Sequence, residues 1–363
     1  MQLQDVTVRE GGQMPGRSYG VEARVDAARA LNRLGLEYVQ VGFAAAGDPD
    51  ATAIERAADE CDAAVVSIAR ALSRDVEAAL DAGADVVEVF GPLSDLHLEH
   101  TVGKTRAEML TAMRAAVDTV HDGGATPTLT FVDAFRTPPD VVARSTARFD
   151  DARFVNLADT VGTATPRSTG EFLDAVGESV DLAGVGVHLH DDLGCATANA
   201  LVAADRGVGR ADVSVASLGE RAGNTALEEL VVAATLDDGE GFGLDDQRLI
   251  PVCRDVLDAL DESVDPRKAV LSGAVHEHES PIHVAAMLEE PSSMEPYDPA
   301  RFGGRRTLVF GANTGRGGAR RLLERAGRTP SDERVERLLD ALADEGPMGL
   351  DSALDLARRA QDG

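Results

Sequence analysis

Apolar and polar residues follow two alternating periodicities along the chain. Runs rich in Val, Ile and Phe, typical of buried strands, alternate with stretches of helical period as far as about residue 237. The predicted strands lie near 3–8, 37–43, 63–68, 85–90, 126–132, 153–158, 184–190 and 211–216. Helices are predicted between them, for example at 20–34, 104–120, 167–178 and 194–207. Eight successive β-then-α units, with no Gly-rich dinucleotide loop after the first strand, predict an α/β fold, a closed (β/α)8 TIM barrel.

The pattern changes after Leu236, where a polar, glycine-rich break begins. We therefore expect the barrel to occupy residues 1–237 and a C-terminal subdomain to occupy residues 238–363. Its helices are predicted near 246–262, 280–289, 318–325 and 331–360, with little strand signal. The expected arrangement is a mainly helical appendage that packs on a barrel mouth or on a neighbouring subunit.

The charge balance of the chain is strongly acidic. A formal net charge of −28 arises from 63 acidic and 35 basic residues, and only Lys104 and Lys268 among the latter are lysines. Such a carboxylate-rich surface indicates a halophilic protein, because salt screens its self-repulsion. It also argues against nucleic acid or an anionic membrane as a partner, since either would be repelled.

The remaining composition favours a cytoplasmic protein. Three cysteines at unrelated spacings form neither a disulfide framework nor a zinc knuckle, which suits a reducing compartment. The N-terminus carries no signal-peptide pattern, and the apolar runs are far shorter than the roughly 20 residues that a membrane span needs.

Polar residues after the predicted strands are the candidates for chemistry, because the carboxyl ends of barrel strands converge on one face. His188 and His190, two residues apart on one strand, are expected to point into the barrel mouth together. With Glu10 after the first strand they would form a metal site with two nitrogen ligands and one oxygen ligand. The alternative is a pair of histidines hydrogen-bonded within a polar barrel top. An N2O site of this kind accepts Mg, Mn, Zn or Co.

Other candidates also have a purely structural interpretation. Arg9 is expected either to polarise a substrate oxygen or only to pair with Glu10. His97 could cap a helix, and Thr160 could begin a turn. Neither lysine lies on a predicted strand, so a Schiff-base aldolase is excluded and carbanion chemistry would have to use a metal.

Seven motifs in order resemble the family of 2-isopropylmalate, homocitrate and citramalate synthases, which are metal-dependent Claisen-condensing barrels. They begin at Asp5, Gln40, Ser94, Ala158, His188, Gly219 and His278. By this resemblance a divalent metal on Glu10, His188 and His190 would chelate a 2-oxo acid, with acetyl-CoA as co-substrate. Asn224 stands where some members add a metal ligand.

The resemblance also implies roles for further residues. Gln13, His97, Asp159 and Thr160 would bind the substrate, and Arg9 would stabilise the developing alkoxide. Asp191 and Asp192 would orient the ligands. His283 would act from a partner subunit, which implies a homodimer. The synthases carry a Glu-Asp pair after the fifth strand, and here Val132 replaces the Glu, so that Asp133 is the remaining candidate catalytic residue. Met294 stands where the synthases usually have a Tyr.

Three functions follow from these residues. The first is an acyltransferase that condenses acetyl-CoA with a 2-oxo acid. The second is a metal-dependent lyase or aldolase of the same superfamily, although the loop at 217–221 lacks the cysteine that related lyases use. The third is a non-catalytic paralogue that keeps the metal, which Val132 and Met294 would support.

Overall fold

The computed structural model describes residues 1–239 and 241–359 and contains two compact units, Met1–Ser263 and Val264–Gly363. The first unit is a closed barrel of eight parallel strands paired in chain order. They are β1 (Gln2–Asp5), β2 (Tyr38–Gly42), β3 (Ala64–Arg70), β4 (Val86–Pro92), β5 (Thr126–Val132), β6 (Val155–Asp159), β7 (Val185–Leu189) and β8 (Arg210–Val213). Strand β1 closes the barrel against β8, with Gln2 opposite Arg210. The predicted TIM barrel is confirmed.

Helices alternate with these strands and cover the outside of the barrel. They are α1 (Thr7–Gly11), α2 (Val21–Asn32), α3 (Asp48–Glu60), α4 (Ser73–Asp81), α5 (Asp95–His97), α6 (Arg106–Asp122), α7 (Pro139–Thr146), α8 (Pro166–Gly177), α9 (Ala196–Asp205), α10 (Leu227–Asp238) and α11 (Leu249–Ala259). Most place a stripe of Ala, Val and Leu against the strands. The barrel is therefore a packed scaffold that holds the residues at its carboxyl-terminal rim.

The first strand is shorter than the sequence pattern predicts. It ends at Asp5, and the chain turns at once into α1. The Asp5 carboxylate accepts hydrogen bonds from the Thr7 backbone N–H at 2.9 Å and from the Thr7 hydroxyl at 2.7 Å. These bonds bend the backbone out of the strand, so Arg9 and Glu10 extend from a helical turn above the barrel.

The first unit extends beyond the predicted boundary at residue 237. Helix α11 buries Leu249, Val252, Cys253 and Val256 and packs beside α2, where Arg33 forms an ion pair with Asp255. The division between the units falls after Ser263, so the described residues of the Gly-rich break belong to the first unit.

The second unit has its own hydrophobic core. Helices α12 (Pro281–Met287), α13 (Arg316–Arg325), α14 (Asp332–Glu345) and α15 (Leu350–Arg359) surround a three-stranded sheet of β9 (Glu277–His278), β10 (Thr307–Phe310) and β11 (Met348–Gly349). Phe310, Leu322, Leu338 and Leu342 are fully buried in this core. The predicted helix at 331–360 is two helices, α14 and α15. The strands are too short to give a periodic signal, whereas the helical character is confirmed.

Within residues 1–239 and 241–359, no helix is both long enough and apolar enough to cross a bilayer.

Candidate active site

Glu10, His188 and His190 lie together in the barrel mouth. All three are buried, and one ligand atom from each lies within 4.8 Å of the others. The two imidazoles share a face because their residues are two apart along the end of β7, and their ring centroids are 5.0 Å apart. Two imidazole nitrogens and one carboxylate oxygen at this spacing suit a divalent metal. The predicted convergence of these three residues is confirmed as geometry.

Arg9 and Gln40 position the carboxylate of this cluster. Arg9 forms an ion pair with Glu10 Oε1, and its Nε donates to Gln40 Oε1 on β2 at 2.6 Å. Burial opposes the charge of Glu10, but Arg9 and His188 outweigh it and hold the pKa of this carboxyl well below its usual range. Glu10 is therefore ionised and able to bind a cation.

Asp212 orients the first imidazole. His188 Nδ1 lies 3.0 Å from Asp212 Oδ2, and His188 Nε2 lies 3.3 Å from Glu10 Oε1. Burial alone would lower the pKa of His188, but the hydrogen bonds with the two carboxylates raise it to about 9. Nδ1 donates to Asp212 and Nε2 is directed at the cluster, where a bound metal would take the place of the Nε2 proton, as in carboxylate–histidine–metal triads.

A backbone carbonyl orients the second imidazole. His190 Nδ1 donates to the carbonyl oxygen of Asp159 at 3.2 Å, which leaves Nε2 available to a ligand. Burial and the neighbouring His188 lower the pKa of His190 to about 4. His190 is therefore neutral at physiological pH, the form that coordinates a metal.

Asn224 lies beside the cluster with an unpartnered oxygen. Its Nδ2 is 3.3 Å from His188 Nε2, whereas Oδ1 is buried without a hydrogen-bond partner in the described chain. Such an oxygen is costly unless something binds it. Gly223 places Asn224 there, since its φ of +90° and the carbonyl of Ser217, 1.7 Å from an added Cβ, permit only glycine. The residues present thus fit a divalent metal.

The cluster opens into a cavity of about 290 Å³. Among the predicted substrate-binding residues, Gln13 and Thr160 line it, and Arg9 lines it beside the cluster. Thr160 Oγ1 accepts a hydrogen bond from the Asp133 backbone N–H at 2.8 Å, so its hydroxyl proton is free to donate to a substrate. The cavity wall is completed by Ile68, Glu88, Phe90, Thr130, Val132, Ala158 and Glu220.

Asp133 and His97 lie together in a neighbouring cluster. The Asp133 carboxylate accepts bonds from Arg136 Nε at 2.7 Å and from the Ser94 hydroxyl. His97 Nε2 lies 3.8 Å from the same carboxylate and 3.4 Å from Arg136 Nη2. Neither Asp133 nor His97 is among the described residues that line the 290 Å³ cavity. The catalytic role of Asp133 and the substrate-binding role of His97 stay predictions.

Asp159 and Asp191 bind backbone groups of their own loops, and Asp192 binds the loop after β8. The Asp159 carboxylate accepts the backbone N–H groups of Thr163 and Ala164, and burial raises its pKa. Asp191 accepts the Ala196 N–H at 2.8 Å, and Asp192 pairs with Arg221 at 2.9 Å. The Asp159 side chain therefore shapes a loop, and its substrate-binding role stays a prediction.

Sequence reasoning missed Asp212 and Glu88. Both are inward-facing residues of barrel strands. The Glu88 carboxylate accepts hydrogen bonds from Arg210 at 2.6 Å and from Thr130 at 2.8 Å. Gln4 Nε2 lies 3.1 Å from each of the two carboxylates and joins them. A charged residue inside a predicted buried strand was the available signal, since such a group needs a buried partner.

His283 belongs to the second unit, where it is exposed on α12. His278, from the same sequence motif, lies on β9 and lines a separate cavity of about 280 Å³ with Glu295 and Tyr297. The predicted catalytic role of His283 stays a prediction.

Known proteins resemble the chain over nearly all of its length. The HMGL-like family matches residues 1–256, and the homocitrate synthase post-HMGL domain-like family matches residues 270–347. Homocitrate synthase AksA of Methanopyrus kandleri is 37% identical, covering 97% of this chain and 90% of its own. From the same organism, a putative (R)-citramalate synthase CimA is 35% identical, covering 95% of this chain and 69% of its own. A probable 2-isopropylmalate synthase of that organism is 33% identical, covering 95% of this chain and 70% of its own.

Solved structures share the barrel fold. Hydroxymethylglutaryl-CoA lyase from Pseudomonas aeruginosa superposes with a TM-score of 0.65 at 22% identity, covering 74% of this chain and 95% of its own. At this identity the likeness concerns the fold alone. The two family matches and the synthase relatives confirm the resemblance found in the motifs: the chain belongs to the HMGL-like family, among the homocitrate, citramalate and 2-isopropylmalate synthases.

Proposed function

We propose that this enzyme condenses the acetyl group of acetyl-CoA with a 2-oxo acid, and that Glu10, His188 and His190 hold a divalent metal for the reaction. The buried cluster of these three residues at the carboxyl end of the barrel carries the proposal. Asn224 would supply a further oxygen, since Oδ1 is buried without a partner in the described residues. Family membership supports the acyltransferase reaction.

The side chains around the cluster suit this chemistry. A bound divalent metal would act as a Lewis acid toward the oxygens of the 2-oxo acid. Arg9 lies against Glu10 and lines the cavity, so its guanidinium faces the place where the ketone oxygen would become an alkoxide. Thr160 would donate its hydroxyl proton to the substrate carboxylate.

The base that removes the acetyl proton is assigned to His283. Asp133 is the other predicted candidate, but Arg136 and Ser94 already occupy its carboxylate. His283 is exposed and available to a substrate. The proposal includes a homodimer in which His283 acts at the neighbouring subunit's barrel. The metal is any of Mg, Mn, Zn or Co, since the N2O set accepts each of them.

A lyase reaction and a non-catalytic role are the competing proposals. Residues 270–347 match a domain named for homocitrate synthase, which favours the synthase over the lyase. Val132 and Met294 are the support for a non-catalytic paralogue.

Release of free thiol from acetyl-CoA distinguishes these functions. The full-length protein with Mn²⁺ or Mg²⁺ in high salt would be given acetyl-CoA and a panel of 2-oxo acids. Release that depends on one of the acids supports the synthase. Retained metal without release by any acid would favour the non-catalytic role.

His188→Ala tests the metal site directly. We expect the loss of bound metal and of thiol release together. His188 is one of the three proposed ligands, and its imidazole also contacts the Glu10 carboxylate. His121→Ala is the matched control, since His121 is a half-exposed surface histidine that contacts Asp151 on the outside of the barrel. The metal content of both variants is measured by atomic emission, and their activity is measured by thiol release. Activity retained by His188→Ala would exclude the proposed site.

A further inference from the structure

The cavity above the metal cluster has two chemically different sides. Glu10, His188 and His190 form one side, on α1 and β7. The opposite side is built by β3, β4 and β5, since the closed order of the strands places these across the barrel from β7 and β1. A 2-oxo acid held by its oxygens at the cluster would therefore direct the rest of its carbon chain toward this opposite side.

The opposite side is mostly apolar. Ile68 of β3, Phe90 of β4 and Val132 of β5 line it, and Ala158 of β6 adds an apolar contact next to β7. Phe90 packs edge-on against Phe43, with ring centroids 6.4 Å apart, and this contact restricts the movement of its ring. These side chains offer dispersion contacts and no hydrogen-bond donor to a substrate.

The polar groups on the opposite side cannot receive a second carboxylate. The Thr130 hydroxyl donates to Glu88 Oε1 at 2.8 Å and is thus already used. Glu88 itself is buried, and although burial opposes its charge, Arg210 holds the pKa of its carboxyl below the usual range. Glu88 is therefore an anion, and it would repel a second anion placed beside it.

The cationic groups of the cavity are all at the cluster. Among the described residues that line it, the basic side chains are Arg9, His188 and His190. Arg210 bonds to Glu88 from below and is itself fully buried outside the lining. Arg136 is bonded to Asp133 in the neighbouring cluster. Among the described residues of the opposite side, a distal carboxylate would thus find no cation to pair with and would be desolvated.

We infer that the 2-oxo acid is a monocarboxylic acid with a short aliphatic side chain, which packs between Ile68, Phe90 and Val132. The inference rests on the proposed function and adds the substrate class to it. The names of the relatives do not decide this point, since they include both homocitrate and 2-isopropylmalate synthases. The charge and lining of the cavity decide it.

Steady-state kinetics with the Mn²⁺-loaded full-length enzyme test the inference. Pyruvate, 2-oxobutyrate and 2-oxoisovalerate would be compared with oxaloacetate and 2-oxoglutarate by thiol release. We expect kcat/KM for the best aliphatic acid to exceed that for either dicarboxylic acid by at least about 100-fold. A dicarboxylic acid that is equal or better overturns the inference while leaving the proposed function intact.

Calorimetric binding keeps the two questions separate. If no acid supports thiol release, the proposed function fails, and binding of the same acids to the Mn²⁺-loaded protein decides the substrate class. Binding of aliphatic acids in preference to dicarboxylic acids supports the inference. The reverse preference, or no binding by any of them, overturns it.

A charge introduced into the apolar wall provides a second test. Val132→Lys places an ammonium opposite the cluster, and Val132→Met is the control of similar length without charge. We expect the ratio of 2-oxoglutarate to 2-oxoisovalerate affinity to rise at least about tenfold in Val132→Lys alone, because the new cation pairs with the distal carboxylate. Folding of both variants is checked by circular dichroism. An unchanged ratio in a folded Val132→Lys protein contradicts the assignment of this wall.

Discussion

His188 is held from two sides by carboxylates that lie far apart in the sequence. Glu10 reaches it from α1, and Asp212 reaches it from β8. Asp212 is in turn held by Gln4 at 3.1 Å and by Asn156 at 3.2 Å. The imidazole orientation therefore depends on a buried network in which each carboxylate has several partners.

Asp212→Ala should weaken metal binding without removing a ligand. The His188 Nδ1 proton loses its acceptor, so the ring is free to rotate, and we expect a fall in metal affinity of about 10- to 100-fold. Excess metal should then restore thiol release. The metal dissociation constant, measured by calorimetry, checks the first expectation.

Two further variants serve as controls for that prediction. Asp212→Asn keeps an acceptor oxygen and should lie between wild type and Asp212→Ala. Asp174→Ala removes a surface carboxylate that pairs with Arg206 and should not alter the affinity. Equal affinities in Asp212→Ala and wild type would show that the contact has no orienting role.

Asp5 should make the stability of the protein depend on pH. Burial raises its pKa from 3.8 to about 7, although its hydrogen bonds with Thr7 oppose this shift. The folded state then binds the proton more tightly than the unfolded state does. Asp5 therefore stabilises the folded protein fully below about pH 4, and this stabilisation is lost as the pH rises to about 7. Relative to Asp5→Asn, wild type should lose stability across this window.

Denaturant unfolding at several pH values measures this difference. Asp140→Asn is the control, since the Arg144 hydrogen bond lowers the pKa of Asp140 and places its dependence below pH 4. A difference between wild type and Asp5→Asn that stays constant from pH 4 to 7 would mean that Asp5 titrates normally.

At the scale of elements, the loop after β8 decides where Asn224 lies. Gly223 accepts the Asp191 N–H at its carbonyl and donates its own N–H to Glu220 O, each at 2.8 Å. Arg221 ties the same loop to Asp192 and to the Thr160 carbonyl. The loops after β6, β7 and β8 therefore form one hydrogen-bonded rim around Glu10, His188 and His190.

Gly223→Ala should destabilise the protein by at least about 3 kcal/mol, since left-handed backbone strain is combined with a clash against Ser217. Gly16→Ala is the matched control. Its φ of +78° is also left-handed, but no atom lies within 4 Å of an added Cβ, so about 1 kcal/mol is expected. Chemical denaturation of both variants gives the comparison. Equal losses would show that the Ser217 contact relaxes.

At the scale of the whole molecule, the charge of −28 is the dominant feature. Ion pairs such as Arg114–Asp151 and Arg29–Glu60 neutralise part of it, but acidic residues outnumber basic ones by 63 to 35. The excess repels itself across the surface unless salt screens it. The halophilic character stays a prediction.

Stability should therefore rise with KCl. The rise should be steepest at low ionic strength, because the Debye length falls from about 30 Å at 0.01 M to about 3 Å at 1 M. Thermal unfolding at a series of KCl concentrations measures it. A melting temperature that rises only at molar concentrations would indicate exclusion of salt from the surface instead, and one that does not rise would contradict the prediction.

The sequence by itself determined the barrel, the order of its elements and the convergence of Glu10, His188 and His190. These follow from local information: the period of apolar residues, the two-residue spacing of His188 and His190, and ordered motifs such as the one at Gly219. Only the tertiary structure decided which groups those residues contact. Ser94 is bonded to Asp133, Asp212 orients His188, and Glu88 places an anion across from the cluster. Such pairings join residues far apart in the chain, and their energies depend on burial and distance, which no local pattern records.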